Sequence, residues 1–207
     1  MTAAITPTTR EALARRIADL ALARPGRVRV AVDGPPPTAP VELAEAVAEL
    51  LRAAGRPPLV ADARDWLRPA SVRLEYGRTD VDMFLDGWLD EGALRRELLG
   101  PAGADGSGRV LRRFHDAGRD RAFRDDYTTL AADAVVVLAG ELLLGRGLPF
   151  DLRVHLRMST AALGRRLPAD LGWTLPAHER YETERSPGKE ADLLVLSDHP
   201  ERPAIRS

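Results

Sequence analysis

Asp33, Asp65, Glu141 and His115 are the side chains of this sequence whose type and place suit proton chemistry. Asp33 closes the run Arg27-Val28-Arg29-Val30-Ala31-Val32-Asp33 and is followed at once by Gly34. A carboxylate there faces the crevice where α/β sheets bind ligands, or caps the turn that follows. Arg64 and Asp65 follow a second apolar run, Pro58-Leu59-Val60-Ala61-Asp62, and Glu141 lies two residues beyond a third, Ala134-Val135-Val136-Val137-Leu138-Ala139. Carboxylates at such ends can act as general acids or bases. His115 has Asp116 as its neighbour, and an imidazole titrates near neutrality. His155 lies within an alternating run and reads as structural, while His178 and His199 read as solvated. No two histidines show metal-ligand spacing, so no metal is expected.

Trp66, Tyr76, Phe84 and Trp88 are spread among charges and either line an aromatic pocket or fill the core of an irregular segment. With 30 Lys+Arg against 31 Asp+Glu, the net charge of -1 disfavours nucleic acid as a partner. The absence of cysteine excludes disulfides, thiol catalysis and Cys-ligated zinc or iron–sulfur centres. No stretch of ~18 apolar residues spans a bilayer, so no membrane partner is expected. The start Met1-Thr2-Ala3-Ala4-Ile5-Thr6-Pro7 lacks a basic, apolar leader, which points to the cytoplasm.

The elements that must position these groups alternate. A helix is expected over 8–24, capped by Thr8 or Thr9 and stopped by Pro25-Gly26. Strands follow at 27–33 and 58–62, separated by a helix at 40–54. Residues 64–89 read as irregular, 90–99 as helix, 100–109 as loop and 112–126 as irregular. Strands at 134–139, 151–157 and 191–196, helices at 159–167 and 176–185, and a tail from Pro200 complete the chain. Such alternation predicts one α/β domain over 1–207, a parallel sheet covered on both faces, with an insertion at about 64–124.

The order of landmarks is specific. Asp33-Gly34 is followed by Val41-Glu42-Leu43-Ala44, then by Asp65-Trp66-Leu67-Arg68-Pro69, Tyr76-Gly77-Arg78 and Asp86-Gly87-Trp88. Arg165-Arg166, Trp173-Thr174-Leu175-Pro176 and Glu179-Arg180-Tyr181 come near the end. This series resembles the uridine kinase-like P-loop proteins of actinobacteria, grouped with nucleoside kinases and phosphoribulokinases. The resemblance implies a three-layer P-loop NTPase fold of nucleoside kinase type with a five-stranded parallel sheet. It also implies ATP on the loop after the first strand, a nucleoside acceptor, phosphate-clamping lid arginines at Arg165 and Arg166, and self-association as a homodimer.

The departures from that pattern concern the chemistry itself. A phosphate loop reads G-x-x-x-x-G-K-[ST]. Here the window is Gly34-Pro35-Pro36-Pro37-Thr38-Ala39-Pro40-Val41. Ala39 stands for the second glycine, Pro40 for the lysine and Val41 for the magnesium-binding hydroxyl. Four prolines remove four backbone N–H donors from a loop that grips phosphate through such donors. Arg64 replaces the first acid of the pair expected before Trp66, and Ala139 the acid expected at the third strand's end. The sequence therefore predicts a degenerate kinase homologue that needs no cofactor and is reused for a small-molecule ligand. Asp33, Asp65, His115 and Glu141 are its candidate catalytic groups, and Arg64, Trp66, Tyr76, Trp88, Arg165 and Arg166 its candidate ligand contacts. An isomerase, cyclase or lyase of specialised metabolism, a non-catalytic scaffold, and an active uridine-type kinase with an unusual loop remain as alternatives.

Overall fold

The computed structural model describes residues 4–206. Residues 1–3, part of the start read for a leader in the sequence, and 207 lie outside the described residues. A short strand β1 (Ile5–Pro7) precedes helix α1 (Arg10–Leu22), strand β2 (Val28–Asp33), helix α2 (Pro40–Ala53) and strand β3 (Pro58–Asp62). The excursion that follows holds the helical turns α3 (Ala70–Arg73) and α4 (Glu91–Ala93). It also holds four two-residue strands, β4 (Arg109–Val110), β5 (His115–Asp116), β6 (Arg121–Ala122) and β7 (Thr128–Thr129). The chain returns through β8 (Val135–Gly140), β9 (Leu152–Arg157), α5 (Thr160–Arg166), α6 (Leu175–Arg180), α7 (Pro187–Glu190), β10 (Leu193–Leu196) and β11 (Ala204–Arg206).

The main sheet has the order β1-β11-β10-β9-β2-β8-β3. Its five inner and far strands, β10, β9, β2, β8 and β3, run parallel, as expected. Two further strands extend it. The residues read as a tail form β11, which pairs antiparallel with β10 and with β1. Three-residue strands carry too little periodicity to show in sequence.

The apolar pattern explains the layering. Strand β8 is buried along its whole length, as a central strand covered on both faces must be. On one face Leu13 and Ile17 of α1 and Leu43, Val47 and Leu51 of α2 pack on Val30, Val32 and Val137. On the other, Ala31, Val136 and Leu138 meet Leu94 and Leu98 of the excursion and Leu143 of the β8–β9 connection. Each such Leu or Ile contributes about 1.5–3 kcal/mol by leaving water. Thr9 caps α1 by accepting from the Ala12 amide at 3.2 Å. The Arg56 guanidinium closes the amino-terminal rim, donating to the carbonyls of Ala21, Leu22, Gly26 and Asp133.

The segment 64–89 is more ordered than its sequence suggests. A 3-10 turn at Ala63–Asp65 leads to α3, and a π-type turn spans Met83–Gly87. Gly87 permits that turn, because a Cβ there would lie 2.4 Å from Met83 Cε. A second π-type turn, Leu94–Leu99, continues α4. Charged residues between isolated apolar ones conceal the turns before residue 88, whereas the helix expected at 90–99 is present as α4 and its π-type continuation; burial of Phe84, Leu85, Leu94 and Leu98 stabilises both.

Candidate ligand site

The loop from Gly34 to Val41 joins β2 to α2. Residues Pro36–Thr38 form a 3-10 turn, and Ala39 then takes the left-handed conformation, φ 51° and ψ 59°, before α2 begins at Pro40. The Gly34 amide donates to Gly140 O, the Thr38 amide to Pro35 O and the Ala39 amide to Pro36 O, each at 2.9 Å. The Thr38 hydroxyl also donates to Pro35 O, at 2.7 Å. Prolines 35, 36, 37 and 40 have no amide hydrogen. Val41 and Glu42, in the first turn of α2, are left as the amides without a partner among the described residues. The carbonyls of Thr38 and Ala39 point away from the sheet crevice toward Arg10 of α1, which donates to both.

Asp33 does not face an open crevice. It is fully buried, and its carboxylate has all of its partners inside the protein. Oδ1 accepts from the Leu143 amide at 2.9 Å. Oδ2 accepts from the Tyr181 hydroxyl at 2.9 Å and lies 2.7 Å from His155 Nδ1. The other imidazole nitrogen lies 2.8 Å from Glu182 Oε1, and Glu182 Oε2 lies 3.3 Å from Arg157 Nε. Burial alone would lower the His155 pKa, but the hydrogen bonds to the two carboxylates outweigh it and raise the pKa to about 9. His155 is therefore an imidazolium at neutral pH, donating from both nitrogens. Burial, with the Asp33 charge beside it, pushes the Tyr181 phenol well above its ordinary value. The sequence reading of His155 as structural missed this bridge, because Glu182 comes from a distant segment.

A cavity of about 490 Å³ opens at the carboxyl ends of β2, β3 and β8. Gly34, Pro36, Pro40 and Val41 form one wall, and Leu167, Leu171, Trp173 and Thr174, between α5 and α6, form the opposite one. The remaining wall is aromatic and aliphatic, built by Phe84, Trp88, Leu67 and Leu89. Glu42, Asp62 and Glu141 supply carboxylates, and Arg64 and Arg146 supply cations. The Arg146 guanidinium is already engaged, by Glu91 at 2.7 Å and by the carbonyls of Leu142 and Leu85. Two ion pairs, Arg180–Asp82 and Arg185–Asp86, tie the segment after α6 to the turn that carries Phe84.

Of the residues singled out in the sequence, the cavity gathers Arg64, Phe84, Trp88 and Glu141 along with Gly34, Pro36, Pro40 and Val41 of the loop; Pro35, Pro37, Thr38 and Ala39 do not line it. Trp66 is completely buried and stacks on Phe114 at 5.7 Å. Tyr76 is 70% exposed and stands apart from the cavity. Asp65 lies outside the lining; burial and the neighbouring Asp62 hold its carboxyl above the ordinary value. His115 is buried in β5, with Nε2 3.6 Å from Asp120. Arg165 and Arg166 end α5, and Arg166 donates to Asp198 O at 3.1 Å. His178 is not solvated. It is buried against Phe84, and its Nε2 lies 3.1 Å from Glu141 Oε2 but off the line of a good hydrogen bond. Asp62, Glu42, Arg146 and Trp173 were not anticipated as lining residues. A strand-terminal acid, a carboxylate in the first turn of a helix after a loop, and the Trp of Trp-Thr-Leu-Pro were the available signals.

Among the described residues no three His, Cys, Asp or Glu side chains are grouped so as to hold a metal ion. No helix among them is long and apolar enough to cross a membrane. No family model and no curated protein matches this sequence. Solved structures do match. A protein described as a possible uridine kinase from Bacillus stearothermophilus aligns with a TM-score of 0.71 at 19% identity, over 87% of this chain and 96% of that one. A candidate fructose transport system kinase from Silicibacter sp. TM1040 aligns with a TM-score of 0.63 at 21% identity, over 85% and 95% of the two chains. The chain has the α/β fold of the uridine kinase-like P-loop kinases.

Proposed function

We propose that this chain is a kinase scaffold that no longer holds ATP and instead binds, and by one route transforms, a small organic metabolite in the cavity beside the old phosphate loop. One observation carries the reading: between Gly34 and Pro40 every existing backbone N–H is spent on a carbonyl of the loop or of β8. A triphosphate needs several such donors together with a cation. Pro40 and Val41 supply neither the ammonium nor the hydroxyl that would hold magnesium, and Glu42 adds a negative charge at the helix start. The residues present do not fit MgATP.

The cavity, by contrast, has the size and mixed lining of a small-molecule site. Glu141, beside His178, is the carboxylate best placed to move a proton on a ligand there. Asp33, fully engaged inside the protein, supports the second reading, a binding protein without chemistry.

Titration calorimetry with MgATP tests the proposal. No heat of binding is expected at millimolar nucleotide. Tight, magnesium-dependent uptake that disappears on mutation of the loop would return the protein to the phosphotransferases.

A further inference from the structure

Three aromatic rings line the cavity and touch one another where two of its walls meet. Phe84 meets Trp88 at 5.0 Å and 80°, Phe84 meets Trp173 at 5.3 Å and 70°, and Trp88 meets Trp173 at 5.8 Å and 55°. They come from two separate segments, the π-type turn before α4 and the turn before α6. The ion pairs Arg180–Asp82 and Arg185–Asp86 anchor the first of these segments to the end of α6 and the turn after it. Trp88 already accommodates one guanidinium, that of Arg73, 5.1 Å from its ring centre.

The charges of the same cavity are unbalanced. Arg146 is neutralised by Glu91, which leaves Glu42, Asp62 and Glu141 against Arg64. Asp62 spends one oxygen on the Arg64 amide, at 2.8 Å, and its other oxygen has no partner among the described residues. Behind Glu141 stands His178, buried, its Nε2 lacking any aligned partner while Phe84 packs on its ring. An anion entering here meets three carboxylates, with only Arg64 and the unpartnered Val41 and Glu42 amides at the start of α2 to receive it. A cation meets carboxylates and the electron-rich ring faces that attract ammonium groups.

We infer that the ligand of this cavity is an organic cation, an ammonium carried on an apolar or aromatic body, with the ammonium near Asp62 and Glu141 and the body against Phe84, Trp88 and Trp173. The inference rests on the reading of the cavity as a small-molecule site and deepens it by assigning the charge class of the ligand.

Three indole probes of matched shape test it by calorimetry and thermal shift: tryptamine, its neutral counterpart indole-3-ethanol, and the anion indole-3-acetate. Tryptamine is expected to bind at least about tenfold more tightly than the alcohol, and the acetate not at all. Asp62→Asn and Glu141→Gln, both close in shape to the native residues, are expected to remove that preference while keeping the unfolding temperature within about 2 °C. Equal binding of amine and alcohol, better binding of the acetate, no binding of tryptamine, or an unchanged preference in both variants would overturn the inference. MgATP is titrated in parallel. Uptake of MgATP defeats the parent reading, whereas its absence together with indifference to probe charge defeats this inference alone.

Discussion

Asp33 and His155 are register partners across the parallel pair β2–β9, and their side chains meet with Nδ1 2.7 Å from Oδ2. Their pairing sets a buried positive charge between the end of β2 and Glu182, and so fixes the segment after α6 to the sheet.

That charge gives stability a pH dependence with a definite sign. The folded pKa of His155, about 9, lies above the ordinary 6.5. The stabilisation is therefore fully present below pH 6.5, declines as pH rises between those values and is lost above 9. The full effect is about 3 kcal/mol. Urea unfolding at a series of pH values checks it, and flat stability between neutrality and pH 9 would refute it.

Removing Asp33 should cost more than an ordinary surface change. Asp33→Ala strands the His155 charge, the Tyr181 hydroxyl and the Leu143 amide in the interior. The expected loss is about 3–5 kcal/mol, read from the denaturant midpoint. A loss below about 1 kcal/mol would show that the interior rearranges to satisfy these groups.

Ala39 bears the backbone conformation of a glycine, φ 51°, because the loop retains the turn into α2 while losing the residue suited to it. Left-handed backbone costs a residue with a Cβ about 1–2 kcal/mol. Ala39→Gly relieves that strain at some cost in unfolded-chain entropy, for a net gain of about 0.5–1 kcal/mol. Ala39→Val, branched at Cβ, should lose stability. Calorimetric melting of the two variants distinguishes them; a more stable valine variant would contradict the strain.

Restoring only the missing side chains should not restore nucleotide binding. The triple variant Ala39→Gly, Pro40→Lys, Val41→Thr regains the lysine and hydroxyl, but Pro35, Pro36 and Pro37 still offer no amide. No uptake of MgATP is expected from it. Replacing those three prolines as well, with glycine or serine, should produce measurable magnesium-dependent binding. Uptake by the triple variant alone would show that the amides were never limiting.

Much of the scaffold was legible because its signals are local. The runs ending at Asp33, Asp62 and Ala139 became β2, β3 and most of β8. What escaped was assembled over distance. Ala204–Arg206 is a strand because it pairs with the distant β10 and β1, and Ile5–Pro7 because it pairs with Ala204–Arg206. Phe84 and Trp173 are distant in sequence and meet through two tight turns. His178, with an exposed-looking neighbourhood of Glu179 and Arg180, turns inward on the opposite side of its helix. No single-sequence periodicity reports which of two faces a one-turn helix will bury.

The Arg180–Asp82 and Arg185–Asp86 pairs lie at the surface, where each is worth only a fraction of a kcal/mol and dissolved ions weaken it. Because they pin the turn that carries Phe84 to the end of α6 and the turn after it, they set how often the chamber gapes rather than how well it is filled. Concentrated sodium chloride should thus quicken both entry and escape of an uncharged guest such as indole-3-ethanol, while leaving its equilibrium occupancy nearly constant; relaxation measurements at low and high ionic strength would register that acceleration.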